Sequence, residues 1–286
     1  MDSYTEVKRG VEECLGTILD DEAITASIKL YNEWRAAMRA FVKLAGQHPS
    51  EVSVIDRAQV INAGYYLRKA DHLPLVKQLN AALAALPSSL EGYHPVVLSG
   101  IYEDIPAIGE ILQENKYAIV ADDLAKESRA FAMQVPEEGD PIEALADGWC
   151  ALRNDSVLYD PHKDHCRSVP ALAKESGARG VVLLLAKFCD PEEYDEPITK
   201  RECMEAGVPI VAIEIDQSTE TYGQARTQLK RSSSSSGRFD GVLRRCGSGR
   251  TRNGRRLPGA GGCPPRGGID RPAACNDRTV PKEDSP

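Results

Sequence analysis

The sequence lacks the short motifs that mark the commonest nucleotide and catalytic sites. No GxGxxG run follows a candidate strand, and neither a GxxxxGK(S/T) loop nor a GxSxG elbow occurs. These absences argue against dinucleotide binding, P-loop ATP hydrolysis and serine-hydrolase chemistry. The eight cysteines are scattered and include no CxxC pair, so their spacing alone indicates ordinary thiols or isolated metal ligands.

Long apolar runs are also lacking. The longest, Val181–Ala186, is far shorter than the roughly 18–20 residues that a membrane-spanning helix needs. The N-terminus is acidic and has no apolar signal core. We therefore expect a cytoplasmic protein whose cysteines are thiols or metal ligands rather than disulfides. The formal net charge of −8 gives no general attraction to nucleic acid or to anionic membranes, so neither is an expected partner.

Charge is unevenly distributed along the chain. From Arg231 onward, 12 Lys/Arg stand against 5 Asp/Glu, whereas residues 1–230 carry 23 and 38. Five serines, Ser232–Ser236, open this basic stretch, and large apolar residues are few in it. Such a composition predicts disorder. The abrupt change after Leu229 favours a shifted reading frame; a natural disordered tail and a nucleic-acid-binding tail are the alternatives.

The chain divides into three zones: a helical lead-in segment over residues 1–91, a parallel α/β domain over 92–230, and a disordered basic tail over 231–286. In the first zone, apolar residues recur at steps of three or four, which predicts a helix that ends before Pro49. A second helix is predicted over Ile55–Arg68, and a third after His72 with Pro74 in its first turn. The apolar stripe of the first helix is Ile24, Ile28, Tyr31, Trp34, Met38 and Phe41, and that of the third is Leu75, Leu79, Leu83 and Leu86.

Short apolar runs alternate with helical patterns in the second zone. This alternation predicts βαβ units, and therefore a four-stranded parallel sheet, flavodoxin-like or Rossmann-like, with helices on both faces. The candidate strands are Pro95–Ser99, Ala118–Ala121, Gly180–Ala186 and Ile210–Ile215. The candidate helices are Ile105–Asn115, Ile142–Leu152, Cys166–Ser176 and Glu196–Ala206, with a last helix that runs from about Thr219 to Leu229.

Ligands of parallel α/β sheets bind at the carboxyl ends of the strands, where this sequence places four polar or reactive residues. Cys189 directly follows the most apolar strand; a thiolate there can bind a soft metal, although a cysteine in such a position is more often a small buried thiol. Asp122 and Asp123 follow another strand and suit acid–base chemistry or a hard metal, or else one of them caps the next helix. Ser99 ends the first strand and is a further candidate for the same crevice.

A second cluster of potential metal ligands is the HKDHC segment, with His162, His165 and Cys166. Its spacing fits no common zinc pattern, because no second Cys/His pair follows at the usual separation. The segment comes directly after Tyr159-Asp160-Pro161 in a polar stretch. We therefore expect a solvated loop.

Read together, the strand ends resemble one family, that of the 2-hydroxyacyl-CoA dehydratase and benzoyl-CoA reductase subunits that carry an iron–sulfur cluster. The most specific part is the KFCDP stretch, followed by an EAGVP turn, an acidic strand end and a GQARTQL helix. The resemblance covers the C-terminal part of such subunits. The similar segments are Ile28–Phe41, Val96–Pro106, Ile119–Phe131, Gly180–Asp216 and Thr221–Leu229.

The resemblance implies a function in radical chemistry on an acyl-CoA thioester. Members of the family pair two related subunits, and each subunit holds a 4Fe-4S cluster through three cysteines. A separate ATP-hydrolysing activator protein delivers an electron at very low potential. The cysteine of KFCD is a cluster ligand in the family, and here it is Cys189.

One departure from the family pattern bears on this interpretation. The other two cluster cysteines of the family lie in an N-terminal domain that is missing here, and the surroundings of Cys14 do not match it. The resemblance therefore predicts a subunit, or a fragment of one, that offers an incomplete ligand set. The alternative is a non-catalytic remnant or binding module that pairs with a full-length sister subunit.

Overall fold

The computed structural model describes residues 2–102, 105–154, 160–216 and 222–234. It contains four strands and ten helices within those ranges. The strands are β1 His94–Gly100, β2 Tyr117–Leu124, β3 Val181–Ala186 and β4 Ile210–Ile215. The helices are α1 Asp2–Leu15, α2 Asp21–Gln47, α3 Val54–Tyr66, α4 Lys69–Ala84, α5 Pro106–Glu114, α6 Ser128–Ala132, α7 Pro141–Cys150, α8 Asp164–Glu175, α9 Asp190–Glu205 and α10 Gly223–Ser234.

The sheet confirms the predicted fold class. Its strands are all parallel and lie in the order β2-β1-β3-β4. Every residue of β3 is buried, as expected of a strand whose two faces are both covered. Alternate residues of the strands face two separate apolar clusters. One cluster includes α5 and α10, and the other includes α8 and α9, so helices cover both faces of the sheet.

The helical segment before the sheet is also present. In α2, the residues Ile28, Trp34, Met38 and Phe41 are buried as the periodicity predicts, whereas Tyr31 is 42% exposed. The predicted stripe of the third helix is partly wrong. That helix begins at Lys69, so Pro74 lies inside it, and Leu75 and Leu86 are exposed. The buried face is instead formed by His72, Leu73, Val76 and Leu83.

Two later helices differ in extent from their predictions. Helix α9 begins at Asp190 rather than Glu196, because Pro191 and the carboxylates of its first turn favour a helix start there. Pro197 lies inside this helix. Because proline is more common in the first turn of a helix than in its interior, the sequence suggested a start near Glu196. Helix α10 begins at Gly223 and continues beyond Leu229 to Ser234. No glycine or proline interrupts residues 224–236, so nothing in the sequence requires an end at Leu229.

The predicted disorder of the basic tail concerns residues that, from 235 onward, lie outside the described ranges. The same holds for the predicted helix start at Thr219. None of the described helices is both long enough and apolar enough to cross a membrane.

Helix α2 lies directly against strand β2 because Gly46 has no side chain. A Cβ atom at this position would lie 2.6 Å from the carbonyl oxygen of Ile119 and 2.7 Å from the Cα atom of Val120. Both are backbone atoms of a central part of β2, which cannot move aside cheaply. The close approach therefore fixes the helical segment to the edge of the sheet.

This contact predicts opposite effects for the same substitution in two helices. Gly46→Ala is expected to lower the free energy of unfolding by about 1–3 kcal/mol, because the added methyl group overpacks the α2–β2 contact. Gly10→Ala in α1, where a Cβ meets nothing within 4 Å, is expected to raise it by up to about 1 kcal/mol through helix propensity. Urea unfolding of both variants measures the difference, and equal effects would contradict the close contact.

Candidate functional site

The carboxyl ends of β1 and β3 form the topological switch point of the sheet. From β1 the chain crosses to β2 on one side, and from β3 it crosses to β4 on the other. A crevice opens outside the strands at such a point, and it is the usual binding site of a parallel α/β sheet. Gly100 ends β1 with φ +139°, and a Cβ there would lie 2.2 Å from the carbonyl oxygen of Leu184. Only glycine allows the two strands to meet so closely at this edge.

Cys189 lies at this edge, in the turn between β3 and α9. Its backbone N–H donates to the carbonyl of Ala186 at 3.1 Å, and its own carbonyl accepts from Glu193 N at 3.0 Å. The residue is the N-cap of α9 and is half-buried against the apolar cluster beneath the α5–α10 face. Its thiol therefore combines a fixed backbone, partial solvent access and a position at the N-terminus of a helix.

The turn presents unusual groups to solvent on either side of Cys189. Phe188 has a left-handed backbone, with φ +66°, and its side chain is 92% exposed. Tyr194, one turn into α9, is 77% exposed. A strained backbone that holds a phenyl ring in water is typical of a functional surface rather than of a folding requirement.

An open depression of about 470 Å³ adjoins the same turn. It is lined by Leu185, Lys187, Phe188, Glu193, Glu196 and Glu214. Three carboxylates and one ammonium group give this depression a negative charge. Such a surface repels phosphate groups, so the phosphates of a nucleotide or of coenzyme A do not fit it.

The structure brings Ser99 and Asp123 together on the face of the sheet that α8 and α9 cover. Cys189 instead contacts the apolar cluster of the other face. The two residues are neighbours in the β1–β2 register, and Ser99 Oγ donates to Asp123 Oδ2 at 3.2 Å. Arg129 donates from Nε and Nη2 to the two oxygens of Asp123 at 3.1 and 3.2 Å. His165 Nε2 lies 2.7 Å from Asp123 Oδ2. All of these residues except Arg129 are among the buried polar residues of the protein, and the Arg129 side chain is only 7% exposed.

The pKa values of Asp123 and His165 follow from this pairing. Burial alone would lower the pKa of His165, but its interactions with Asp123 and Cys166 outweigh burial and raise it to about 9. Burial would raise the pKa of Asp123, but the hydrogen bond from His165 and the charge of Arg129 hold it below its ordinary value. Protonated His165 thus stabilises the fold fully below its ordinary pKa of 6.5, and this contribution is lost as pH rises through about 9.

Asp122 belongs to a separate group of buried charges. Its Oδ2 accepts from Arg57 Nη2 at 2.6 Å, and Arg57 also pairs with Glu127. Asp122 Oδ1 accepts from the backbone N–H of Ser128 at 3.0 Å, and Oδ2 accepts from the Ser128 hydroxyl at 2.7 Å. Because Ser128 is the first residue of α6, Asp122 acts as the helix cap that was one of its two interpretations.

The prediction of a solvated loop for HKDHC is wrong for its second half. His162 is exposed, but His165 and Cys166 lie in the first turn of α8 and are buried. The reason is the spacing of His165, Cys166, Val169 and Ala173, which places them on the one face of α8 that packs inward. Asp195 from α9 lies beside them and pairs with Lys163 Nζ at 2.7 Å.

A 4Fe-4S cluster is held by several thiolates, of which Cys189 would supply one. Among the described residues, three potential His, Cys, Asp or Glu ligands converge at one place, His165, Cys166 and Asp195, which does not include Cys189. The described cysteines are Cys14, Cys150, Cys166, Cys189 and Cys203. Residues outside the described part of this chain, or another chain, would have to supply the other cluster ligands.

Sequence reasoning missed most of the buried charges. No motif marked the buried charges Arg57, Arg129, Glu127, Glu192 and Asp195. Apart from the pair of Arg129 with Asp123, six residues away, the partners named above lie far away along the chain. The inward face of α8 was the one available signal, because residues 165, 169 and 173 recur at helical spacing.

A parallel α/β sheet wound from a switch point belongs to the fold class in which ligands usually bind at the carboxyl ends of the strands, and here a half-buried cysteine lies at that point. Comparison with known proteins gives the family. The family model of the 2-hydroxyglutaryl-CoA dehydratase D-component matches residues 1–231. The chain belongs to this family.

Several curated relatives agree with this assignment. The chain is 41% identical to the beta subunit of (R)-2-hydroxyglutaryl-CoA dehydratase from Acidaminococcus fermentans, over 80% of this chain and 62% of that subunit. It is 38% identical to the (R)-phenyllactyl-CoA dehydratase beta subunit of Clostridium sporogenes, over 77% and 59%. A benzoyl-CoA reductase subunit of Thauera aromatica is 25% identical over 78% and 59%. The chain thus spans about three fifths of the length of these relatives.

The buried position of Arg129 predicts a large effect on stability. Arg129→Met leaves Asp123 without its bidentate partner and removes the cation 3.7 Å from Glu192 Oε1. We expect the free energy of unfolding to fall by about 3–5 kcal/mol, because the carboxylates of Asp123 and Glu192 stay buried with one positive charge fewer beside them.

The matched control is Arg167→Met on α8. Arg167 pairs with Asp164 at 2.9 Å, but the two side chains are 53% and 61% exposed. Its loss is expected to change stability by no more than about 0.5 kcal/mol. Urea unfolding compares the two variants, and similar small effects would show that the Arg129 network does not stabilise the fold.

Proposed function

We propose that this chain is a subunit, or part of one, of an iron–sulfur enzyme that acts on acyl-CoA thioesters, and that Cys189 is its ligand to a 4Fe-4S cluster. The observation that carries the proposal is the position of this thiol at the switch point, on the N-cap of α9. The higher identity to dehydratase subunits, 41% against 25% for the benzoyl-CoA reductase subunit, favours the 2-hydroxyacyl-CoA dehydratase branch over the ring reductases.

The surroundings of Cys189 suit a cluster of low reduction potential. Asp190 and Glu193 lie on the adjacent turn and are exposed, and Glu214 and Glu196 line the depression beside it. Reduction adds a negative charge to a cluster, and nearby carboxylates make that addition less favourable. The partial burial of the thiol acts in the same direction, since it limits the water that would stabilise the added charge. When bound, the cluster would supply single electrons to the thioester substrate.

A partner chain is one source of the other cluster ligands. Cys189 is one thiolate, and the remaining cluster ligands must approach it from outside the described residues. Exposed Phe188 and Tyr194 flank the approach and offer apolar surface for a related sister subunit in a heterodimer. An ATP-hydrolysing activator protein would supply the electron. The protein would act in the cytoplasm, and its substrate would be an acyl-CoA.

The same observation supports a second candidate function. A chain that presents one cluster thiolate beside an exposed aromatic surface can also be a non-catalytic module that binds a full-length sister subunit. In that case Phe188 and Tyr194 contribute to binding, and Cys189 remains a free thiol.

Anaerobic cluster reconstitution distinguishes these functions. The chain is loaded with iron and sulfide alone and together with a co-expressed sister subunit, and iron is counted alongside EPR spectra. We expect the assembled pair to hold about four more irons than a pair carrying Cys189→Ser, because that variant removes a ligand of the cluster.

Cys203→Ser is the matched control. This cysteine lies on the same helix, but it is fully buried, and burial raises the pKa of its thiol to about 12. The variant should therefore keep the full iron content. An unchanged iron content in Cys189→Ser would contradict the proposed cluster role. Pairing of the chain with the sister subunit in the absence of iron would support the non-catalytic binding module.

A further inference from the structure

A second group of potential metal ligands lies between α8 and α9, apart from Cys189. A ring nitrogen of His165, the sulfur of Cys166 and a carboxylate oxygen of Asp195 all lie within 4.8 Å of one another. The three residues are buried, with His165 4%, Cys166 0% and Asp195 4% exposed. A buried cluster differs from the acidic patches that are common on protein surfaces, because each polar group in it must be compensated by a partner.

The orientation of His165 leaves Nδ1 for a ligand, and a metal that binds there replaces the Nδ1 proton of the imidazolium. Nε2 lies 2.7 Å from Asp123 Oδ2 and donates its proton there. Within the described part of the chain, the buried Nδ1 atom has no hydrogen-bond partner of its own. A histidine that binds a metal nearly always donates its second ring N–H to a carboxylate, a backbone carbonyl or water, which fixes the ring and the tautomer. Asp123 and His165 have this arrangement already.

We propose that His165 Nδ1, Cys166 Sγ and the Asp195 carboxylate bind a divalent zinc ion that joins α8 to α9. Nitrogen, sulfur and oxygen ligands in one set match the borderline softness of zinc and not the oxygen-only preference of magnesium or calcium. Bond lengths of about 2.0–2.3 Å separate tetrahedral ligands by roughly 3–4 Å, so shifts of about 1 Å complete the site. Water fills the fourth position.

The charges around the cluster are compatible with a divalent ion. Asp123, Glu192 and Asp195 are carboxylates, and Cys166 becomes a thiolate on metal binding. Arg129 pairs with Asp123 and lies 3.7 Å from Glu192, and Lys163 pairs with Asp195. The two positive charges of the ion, together with those of Arg129 and Lys163, balance the charges of the three carboxylates and the thiolate. The Lys163 side chain is 39% exposed, so it can swing into water if the ion displaces it from Asp195.

This site is independent of the proposed cluster function. Its ligands come from α8 and α9, on the face of the sheet covered by those helices, whereas Cys189 packs against the cluster of the other face. The role that follows from its position is structural, because the ion would connect two helices that are joined through a strand. Loading should therefore raise the thermal unfolding temperature without requiring any catalytic activity.

Cobalt titration tests the proposal. The full chain is stripped with a chelator under anaerobic conditions and titrated with Co²⁺, whose bond to a thiolate gives a charge-transfer absorption in the near ultraviolet. We expect one Co²⁺ per chain with this absorption, displacement by Zn²⁺, and a rise in unfolding temperature. Cys166→Ser should abolish the absorption and weaken binding at least tenfold.

Two cysteine controls and a second ligand variant complete the test. Cys189→Ser and Cys203→Ser should keep the absorption and the stoichiometry. Asp195→Asn should weaken Co²⁺ binding at least tenfold while keeping the thiolate–cobalt absorption. If circular dichroism shows that Cys166→Ser does not fold, Asp195→Asn serves as the test variant in its place. The proposal is overturned if the wild-type chain gives no thiolate–cobalt absorption. It is equally overturned if the absorption persists in folded Cys166→Ser, is lost in Cys189→Ser, or if Asp195→Asn binds as tightly as the wild type.

Discussion

The parallel pairing of β1 with β3 is the contact on which the candidate site depends. It places the two strands side by side although β2 comes between them in the chain, and this separation creates the switch point. Gly100 allows the pairing to continue to the strand ends, because any side chain there would collide with the Leu184 carbonyl. The turn that carries Cys189 then leaves β3 beside the end of β1. A thiol is thus held at a crevice by strand geometry rather than by a motif of its own.

Buried charges keep the neighbouring edge of the sheet in place. Two adjacent aspartates at the end of β2 point to opposite faces, and each is matched by an arginine from a different helix: Asp122 by Arg57 of α3, and Asp123 by Arg129 of α6. Such pairs add little stability over an apolar core, but the loss of one partner is costly. They therefore specify how the helical segment and α6 pack against the sheet. Neither pair includes a residue of the Cys189 turn.

The sheet was predictable because its strands are short apolar runs, and the position of Cys189 followed from chain order alone. The charge networks were not, since Asp123 and His165 are 42 residues apart and Arg57 and Asp122 are 65 apart, and no local pattern records such pairs. The start of α9 was misplaced because Pro197 resembles a helix start. His165 and Cys166 were assigned to solvent because the polar first turn of α8 conceals the apolar face that follows it.

Alkylation of Cys189 shows whether its thiol is a ligand of the proposed cluster. Iodoacetamide is added to the isolated chain and to the cluster-loaded pair with its sister subunit, and each cysteine is quantified by mass spectrometry. Cys14 and Cys150 are exposed and serve as internal references. We expect Cys189 to be modified in the isolated chain and protected in the loaded pair, while the references react in both. Equal modification of Cys189 in both samples would show that its thiol does not hold the cluster.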